Sequence, residues 1–402
     1  MPSSLPQPEA PRAWLKAAVL LVSTGLALGA AELFLRASHP FGFRQRGNAL
    51  VLPANKVYDI RADARSRSDQ LEPHVVHTKN SLGFRGPEPP PDFARWLTIV
   101  AVGGSTTECF YLADGKTWPE RLAARLRPQV PRLWVDNAGL DGHSTFGHLR
   151  LVSQTLVHLR PKVTLFLVGV NDMFTDAPHQ QDRVELRPLG VLADHSELVA
   201  TLLNLYRWKK TRSIEDLGAM PKPVALRDRP RYRVPPAAAK RLWIAQDERL
   251  AGFRRRLEQL VDLDRGHGIE PVFITQPSLL GGIDARTGLD TRTMEVDVWE
   301  KVDGAFAWAL LERYNDVTRD VGRRRSVLVV DLARELPKDS TYFYDFFHFT
   351  NEGADRVGAL VARGIAPLLA QRFPAFVVNP SPDAGPGASA RAAAPGSHPR
   401  RG

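Results

Sequence analysis

Cysteine is almost absent from this chain, and its absence already excludes several classes of protein. Cys109 is the only cysteine among 402 residues. A single cysteine cannot form an intramolecular disulfide framework, and it excludes a cysteine-rich metal centre. His143 and His148 lie close together in the sequence, but no third histidine or carboxylate follows them at the spacing typical of a metal site. We therefore expect neither a metal nor a cofactor.

The chain also lacks a concentrated basic region, although its net charge is +10. The positive charge is spread along the sequence. The two arginine runs, at residues 254–256 and 323–325, carry no interleaved aromatic residues. A nucleic-acid-binding protein would show a clustered basic face or a recognisable binding motif. We therefore expect no nucleic-acid partner, while the charge remains compatible with anionic lipid or glycan.

One long apolar run lies near the N-terminus. Residues 1–12 form a polar, proline-rich tail, and residues 13–36 contain an uncharged apolar run that is close to the roughly 20 residues a membrane span requires. This pattern favours an uncleaved transmembrane signal anchor with Glu32 near the outer interface. A cleaved signal peptide ending at the small residues 29–31 and a buried core helix are the alternatives. The short tail favours a cytoplasmic N-terminus and a single-pass protein whose remaining chain is periplasmic or extracellular.

The rest of the chain alternates apolar strands with amphipathic helices. The predicted strands are residues 97–102, 133–135, 163–168, 272–275 and 327–330. Such alternation with short loops predicts a mostly parallel, five-stranded α/β sheet. We assign residues 37–96 to a connector that packs on the domain, residues 97–375 to the domain itself and residues 376–402 to a disordered tail. Residues 174–234 interrupt the alternation and are interpreted as an insertion near the active-site end, with a lid as one possible role.

A serine stands at the carboxyl end of the first predicted strand. Gly103 and Gly104 allow a sharp turn there and deliver Ser105 to the sheet edge where α/β proteins bind ligands. A serine becomes a nucleophile when a base accepts its proton and a carboxylate orients that base. His348 follows the last predicted strand, and Asp345 precedes it by three residues, so both side chains can face the same way.

An acyl-transfer reaction also requires donors for the oxyanion that develops. Gly142 follows the second strand and can offer its backbone N–H, and Asn171 follows the third strand and can offer its side-chain amide. The N–H of Ser105 would be the third donor. Taken alone, the pair of Asp345 and His348 and the motif at Asn171 fit a structural loop or turn better than a catalytic role.

Four blocks occur in order, each after a predicted strand: Gly-Gly-Ser-Thr at 103–106, Asn-Ala-Gly-Leu-Asp-Gly at 137–142, Gly-Val-Asn-Asp at 169–172 and Asp-Phe-Phe-His at 345–348. This arrangement resembles the SGNH (GDSL-like) hydrolases over about residues 97–372. The resemblance implies a flavodoxin-like three-layer α/β/α sandwich. It also implies that Ser105 is the nucleophile, His348 the base and Asp345 its orienting carboxylate, with Ser105, Gly142 and Asn171 forming the oxyanion hole.

The segment at residues 80–86 also looks like one that precedes the domain in membrane-tethered bacterial members of this family. The family's Gly-Asp-Ser-Leu is here Gly-Gly-Ser-Thr, so the acidic residue before the nucleophile is missing. That departure concerns the subfamily and the substrate more than the fold. Ser144 is interpreted as a helix N-cap and Cys109 as a packed thiol rather than as nucleophiles.

The expected function is hydrolysis of acyl esters, O-acetyl esters among them, by a membrane-anchored serine esterase. The substrate would be a small-molecule, lipid or glycan ester. One alternative is an O-acyltransferase that modifies a cell-envelope glycan with the same residues, because only the second acceptor differs. A non-catalytic tethered binding module is the other alternative.

Overall fold

The computed structural model describes residues 13–38, 45–47, 49–61, 70–175, 188–211, 226–297 and 300–378. Its centre is a five-stranded sheet of β1 (Leu97–Gly103), β2 (Leu133–Asn137), β3 (Val163–Val168), β4 (Glu270–Thr275) and β5 (Leu328–Val330). The strand order is β5-β4-β3-β1-β2, and every pair is parallel. This is the flavodoxin-like order, so the predicted fold is confirmed. The observed strands start or end within two residues of the predicted bounds.

Helices cover both faces of the sheet. The helices longer than three residues are α1 (Ala13–Ser38), α2 (Ser105–Glu108), α3 (Trp118–Leu126), α4 (Thr145–Leu151), α5 (Pro188–His195), α6 (Glu197–Thr211), α7 (Pro236–Gly266), α8 (Gly304–Arg325), α9 (Leu332–Glu335) and α10 (Asn351–Arg372). A π-helical segment, Val152–Leu156, and the turn Val157–Leu159 continue α4. The remaining 3₁₀ turns are Phe93–Arg95, Val170–Asp172, Leu226–Asp228, Thr291–Thr293 and Pro374–Phe376.

The two faces of β1 show how the core is divided. Leu97, Ile99 and Ala101 belong to the apolar cluster that contains α3 and α10, whereas Val100 and Val102 belong to the cluster that contains α7 and α8. Alternate residues of a strand point to opposite faces, so a strand covered on both sides must be apolar throughout. The continuous apolar run at the start of the domain is therefore explained by burial on both faces.

The connector before the domain contains two small antiparallel hairpins, Gln45–Arg46 with Ala49–Leu50 and Val57–Arg61 with His74–Thr78. A further short antiparallel pair joins Glu295–Val296 to Val302–Asp303. Arg85 pairs with Asn137 of β2, its N–H donating to the Asn137 carbonyl at 2.8 Å. The connector therefore packs directly on the edge of the main sheet.

The segment at residues 80–86 is held by its first residue. The Asn80 side chain donates to Asp136 Oδ2 at 2.7 Å and accepts from the N–H groups of Leu82 and Phe84. Arg85 is fully buried, and its guanidinium donates to the carbonyls of Glu108 and Cys109. Because those carbonyls end α2, the connector stabilises the turn that follows Ser105.

Helix α1 carries the membrane-length segment. Trp14–Ser38 is 25 residues long with a mean hydropathy of 2.0, so it is long and apolar enough to cross a membrane. Its most apolar stretch is not buried in the domain. The alternative of a buried core helix is therefore wrong.

Parts of two predicted segments lie outside the described residues. Of the predicted insertion, residues 176–187 and 212–225 are not described, and the rest includes α5 and α6. Residues 379–402 of the predicted tail are likewise not described. Residues 376–378 are described, and Val378 donates its N–H to the carbonyl of Gln129 at 2.8 Å.

Candidate active site

The turn that carries Ser105 follows β1 at the point where the sheet changes direction. The strand order reverses between β1 and β3, and ligands of open α/β sheets bind at such a switch point. Gly103 ends β1, Gly104 caps α2, and Ser105 is its first residue. A Cβ on Gly103 would lie 2.1 Å from Thr107 Oγ1, and a Cβ on Gly104 would lie 2.2 Å from Asn171 Nδ2. Both positions therefore require glycine for space.

Ser105 is joined to His348 and Asp345 by two hydrogen bonds. His348 Nε2 lies 2.7 Å from Ser105 Oγ, and His348 Nδ1 lies 2.7 Å from Asp345 Oδ2. An ionised carboxylate only accepts hydrogen bonds, so Nδ1 carries the proton and Nε2 accepts from the serine hydroxyl. The side chains of Ser105, His348 and Asp345, which sequence reasoning selected, thus form one hydrogen-bonded network. Ser105 and His348 are 243 residues apart in the sequence.

Asp345 also organises the loop on which it lies. Its Oδ1 accepts the backbone N–H groups of Phe347 and His348, both at 2.8 Å. The Tyr344 N–H donates to the carbonyl of His348 at 3.0 Å, and the Tyr344 and His348 rings stack with centroids 5.5 Å apart. One carboxylate oxygen therefore shapes the loop while the other orients the imidazole. The side chain of His348 remains 29% exposed, so a substrate can reach it.

The charges of this pair shift the pKa values of both members in the direction that acyl transfer needs. Burial lowers the pKa of His348, but the adjacent Asp345 carboxylate outweighs it and leaves that pKa above its ordinary value. Burial raises the pKa of Asp345, but the charge of His348 and three hydrogen bonds outweigh it and leave that pKa below its ordinary value. Asp345 therefore stays ionised and stabilises a protonated His348.

The loop that carries Gly142 contacts Asn171 beside the turn that carries Ser105. Gly142 has a φ of +70°, a conformation that favours glycine. The next residue, His143, accepts a hydrogen bond through its carbonyl from Asn171 Nδ2 at 2.9 Å. The same Nδ2 lies against Gly104, as the close approach of a Cβ there shows. Both predicted oxyanion residues are thus brought to the turn that carries Ser105.

Asp172, the residue after Asn171, belongs to a buried ion pair that sequence reasoning missed. Asp172 accepts from the N–H of Thr145 and lies 3.2 Å from the Arg256 guanidinium, which also donates to Thr145 Oγ1 at 2.6 Å. The guanidinium stacks 3.8 Å above the ring of Phe146. Burial raises the pKa of Asp172, and Arg256 opposes that rise. The only hint in the sequence was Asp172 itself, because its partner lies 84 residues away.

The rejected nucleophiles are placed as expected. Ser144 is fully buried, and its Oγ caps α4 by accepting the N–H of Phe146 at 3.2 Å. Cys109 is buried, and burial raises the pKa of its thiol to about 12. Within the described parts of the chain, no group of three or more histidine, cysteine, aspartate and glutamate residues is arranged to hold a metal ion.

A parallel sheet of this order, with a serine, a histidine and an aspartate hydrogen-bonded at its carboxyl edge, defines an α/β protein equipped for acyl transfer. The chain belongs to the GDSL-like lipase/acylhydrolase family, whose model matches residues 101–356, more than half of its length. The protein is therefore an ester-hydrolysing enzyme of the SGNH type, and the resemblance seen in the four sequence blocks is confirmed. No protein with a curated description matches the chain by sequence.

Several solved structures are similar to the chain. A catalytic mutant of Axe2, an acetylxylan esterase from Geobacillus stearothermophilus, is 12% identical, with 67% of this chain and 93% of the other covered and a TM-score of 0.39. A putative lipolytic protein of the G-D-S-L family from Desulfitobacterium hafniense is 13% identical, with 66% and 98% covered and a TM-score of 0.37. TesA is 14% identical, with 68% and 99% covered and a TM-score of 0.38.

Proposed function

We propose that the protein is a membrane-anchored serine esterase that hydrolyses acyl esters with Ser105 as nucleophile, His348 as base and Asp345 as the carboxylate that orients it. The observation that supports this most directly is the pair of 2.7 Å contacts that joins the three side chains. O-acetyl esters are the first class of substrate to test, because a short acyl group needs the least space in the site.

The reaction begins with transfer of the Ser105 hydroxyl proton to His348 Nε2. The serine oxygen then attacks the ester carbonyl carbon, and a tetrahedral intermediate forms. Asp345 accepts the Nδ1 hydrogen bond throughout, which stabilises the imidazolium and keeps Nε2 directed at the reacting atoms.

Three hydrogen-bond donors would stabilise the negatively charged oxygen of the intermediate. They are the N–H groups of Ser105 and Gly142 and the side-chain amide of Asn171. An amide Nδ2 carries two donors, and the bond to the His143 carbonyl fixes its direction. Removal of one such donor from a serine hydrolase costs about 3–4 kcal/mol of transition-state stabilisation.

Collapse of the intermediate releases the alcohol, which takes the proton from His348, and leaves an acyl group on Ser105. In hydrolysis, His348 then accepts a proton from water as the water oxygen attacks the acyl-enzyme. The second tetrahedral intermediate collapses by breaking the bond to Ser105 Oγ, which takes the proton back from His348, and the acid leaves. In an O-acyltransferase, a sugar hydroxyl would take the place of water with no other change.

We further propose that α1 is an uncleaved signal anchor and that the catalytic domain lies on the periplasmic or extracellular side. The length and apolarity of Trp14–Ser38 support the anchor. The N-terminal residue of the mature protein in isolated membranes tests this. A mature chain that begins near residue 30 would contradict it.

A fluorophosphonate probe tests the nucleophile, with Ser144 as a matched control. We expect the wild type and Ser144→Ala to be labelled and Ser105→Ala to remain unlabelled. Ser144 caps a helix, so its replacement lowers stability by about 1 kcal/mol without affecting the probe. Equal labelling of Ser105→Ala, or an unlabelled but folded wild type, would contradict the serine-esterase assignment.

The acyl group and its acceptor are tested together on the full-length protein in detergent. A series of nitrophenyl esters of increasing chain length reports the acyl preference, and an acetylated oligosaccharide reports the acceptor. Release of one equivalent of free acid per alcohol supports hydrolysis. Recovery of the acyl group on an added oligosaccharide, with little free acid, would favour the O-acyltransferase.

A further inference from the structure

Helix α5 has its small residues buried and its large apolar residues exposed. Gly190 and Ala193 are buried, whereas Leu189 and Leu192 are 56% and 57% exposed. A Cβ on Gly47 of the connector would lie 2.3 Å from the carbonyl oxygen of Gly190, so the small face of the helix is the one packed on the protein. A helix on the surface of a water-soluble protein shows the opposite pattern.

Helix α6 repeats this inverted pattern at helical spacing. Ala200 and Asn204, four residues apart, are buried, whereas Leu202 and Tyr206, also four apart, are 58% and 64% exposed. Its buried positions thus include a polar asparagine, while a leucine and a tyrosine face outward. An exposed apolar face on two consecutive helices indicates a binding surface rather than scattered exposed residues.

The junction between these two helices is fixed to the end of α1. Glu32 accepts the N–H groups of Glu197 and Leu198 at the start of α6 and the hydroxyl of Ser196, all at 2.9 Å. Arg36 donates to the carbonyl of His195 at 2.8 Å. A carboxylate at a helix N-terminus satisfies N–H groups that have no partner within the helix.

The position of Glu32 along α1 places this junction at the surface of a bilayer. At a rise of about 1.5 Å per residue, the 18 residues from Trp14 to Ala31 span about 27 Å, close to the roughly 30 Å of a hydrocarbon core. Glu32 and Arg36 would then lie at the level of the headgroups. Leu33 and Phe34, beside them on α1, are 70% and 63% exposed and extend the apolar surface to the junction.

We propose that α5 and α6 lie in the outer interface of the membrane that α1 spans, with Leu189, Leu192, Leu202 and Tyr206 inserted between the lipid headgroups and the acyl chains. This inference rests on the proposed membrane anchoring by α1. The bilayer is favoured over a second copy of the chain because the exposed faces are attached to the end of the anchor, where lipid is present in any case.

The composition of α6 suits such a surface. Tyrosine is enriched at membrane interfaces because its ring is apolar and its hydroxyl polar. The sequence continues from Tyr206 with Arg207, Trp208, Lys209 and Lys210, and basic residues next to aromatic ones are typical of helices that lie on anionic lipid. With a second contact of this kind, the domain would no longer rotate and tilt freely about its anchor, and the Ser105 site would keep a constant orientation to the membrane.

Depth-dependent fluorescence quenching tests the inference on the full chain. Leu192→Cys and Leu202→Cys are each labelled with an environment-sensitive fluorophore and reconstituted into vesicles of phosphatidylethanolamine and phosphatidylglycerol. Nitroxide-labelled lipids quench from a shallow or a deep acyl position. Cys109 is buried, and wild-type protein carried through the labelling shows whether it contributes signal.

Two further positions serve as controls. Leu20→Cys in α1 reports whether the anchor is in the bilayer, because Leu20 is 65% exposed on that helix. Val378→Cys reports background quenching. Val378 is 50% exposed, and its N–H donates to the carbonyl of Gln129. Gln129 precedes the amino end of β2, so this position lies at the edge of the sheet opposite the Ser105 site. Turnover of a nitrophenyl ester by each labelled variant shows that the domain is folded.

We expect shallow nitroxides to quench the labels at 192 and 202 several-fold more strongly than the label at 378, and deep nitroxides to quench the label at 20. Labels at 192 and 202 that are quenched no more than that at 378, with the label at 20 still quenched, would overturn the inference and leave the anchor intact. Blue-shifted but unquenched labels would mean that protein covers this face, which also overturns it. An unquenched label at 20 would contradict the anchor itself, whatever the esterase activity.

Discussion

Lys79 Nζ lies 2.9 Å from Glu108 Oε1, and the two side chains are only 1% and 3% exposed. The second oxygen of Glu108 accepts the N–H of Asp141 at 2.6 Å, directly before Gly142. The ion pair therefore joins the connector, the end of α2 and the loop that carries Gly142. Glu108 contacts this loop through the Asp141 N–H, so we expect the ion pair to affect catalysis by positioning Gly142.

Replacement of Lys79 by methionine should destabilise the protein strongly. It leaves the buried Glu108 carboxylate without its counter-charge, which typically costs about 3–5 kcal/mol. We expect the double variant Lys79→Met/Glu108→Gln to recover part of that loss. Denaturant unfolding measures the free energies, with Arg363→Met as control because the Arg363–Glu335 pair is exposed and worth about 1 kcal/mol or less. Similar losses of unfolding free energy in Lys79→Met and Arg363→Met would show that burial of the Lys79–Glu108 pair adds nothing to its effect on stability.

Replacement of Asp345 by asparagine should change both the rate and its pH dependence. The wild-type kcat/KM should rise with pH as His348 loses its proton, because only the neutral imidazole can accept the proton of Ser105. Asp345 raises the pKa of His348, so its removal should move this rise to lower pH. The carboxylate also fixes the tautomer, and its loss should lower kcat on the order of 10⁴-fold.

A pH–rate profile of a nitrophenyl ester measures both effects in the same experiment. Asp141→Asn is the matched control, because Asp141 also raises the pKa of His348 but makes the smallest of the contributions to that shift. A profile of Asp345→Asn that keeps the wild-type midpoint would mean that another group controls the titration.

The five strands of the sheet followed from the sequence because burial on both faces requires continuous apolar strands, and such runs are easily recognised, whereas the flavodoxin-like order was implied only by the family resemblance. Ser105, Gly142, Asn171 and the pair of Asp345 and His348 were selected because each follows a strand, and the carboxyl ends of parallel strands meet at one edge. Topology alone therefore brought together residues that are far apart in the sequence.

The buried ion pairs could not be predicted in the same way. Lys79 lies 29 residues before Glu108, in a connector without a periodic apolar pattern. Arg256 is the last residue of the arginine run at 254–256, and nothing in the sequence shows which of these arginines is buried. Which lysine or arginine is buried depends on how the connector and α7 pack, and a single sequence contains no measure of that packing. The orientation of α5 and α6 was unpredictable for the same reason.

Replacement of Asn171 by alanine should affect kcat rather than KM. The proposed role of its amide is to bind the oxyanion, which exists only in the transition state and the intermediates, so ground-state binding should be preserved. We expect kcat to fall about 10²–10³-fold with KM little changed. Steady-state kinetics on one ester measures this. A rise in KM at constant kcat would instead assign Asn171 to substrate binding.

Replacement of Gly104 by alanine tests whether the position of that amide matters. Gly104 has a φ of −85°, outside the left-handed region that favours glycine, but an alanine Cβ would lie 2.2 Å from Asn171 Nδ2 and must displace it. A shift of about 1 Å in a group that stabilises the transition state can cost on the order of 10²-fold in rate. We therefore expect kcat to fall by about that factor while probe labelling of Ser105 slows in parallel.

Gly266→Ala is the matched control for this substitution. Gly266 ends α7, and a Cβ there meets no atom within 4 Å, so alanine should leave kcat unchanged and raise stability by as much as about 1 kcal/mol. If Gly104→Ala retained full activity, the Asn171 amide would have to tolerate displacement, which a preorganised oxyanion donor does not. Wild-type rates in Gly104→Ala would thus count against the role of Asn171 even if Asn171→Ala were inactive through misfolding.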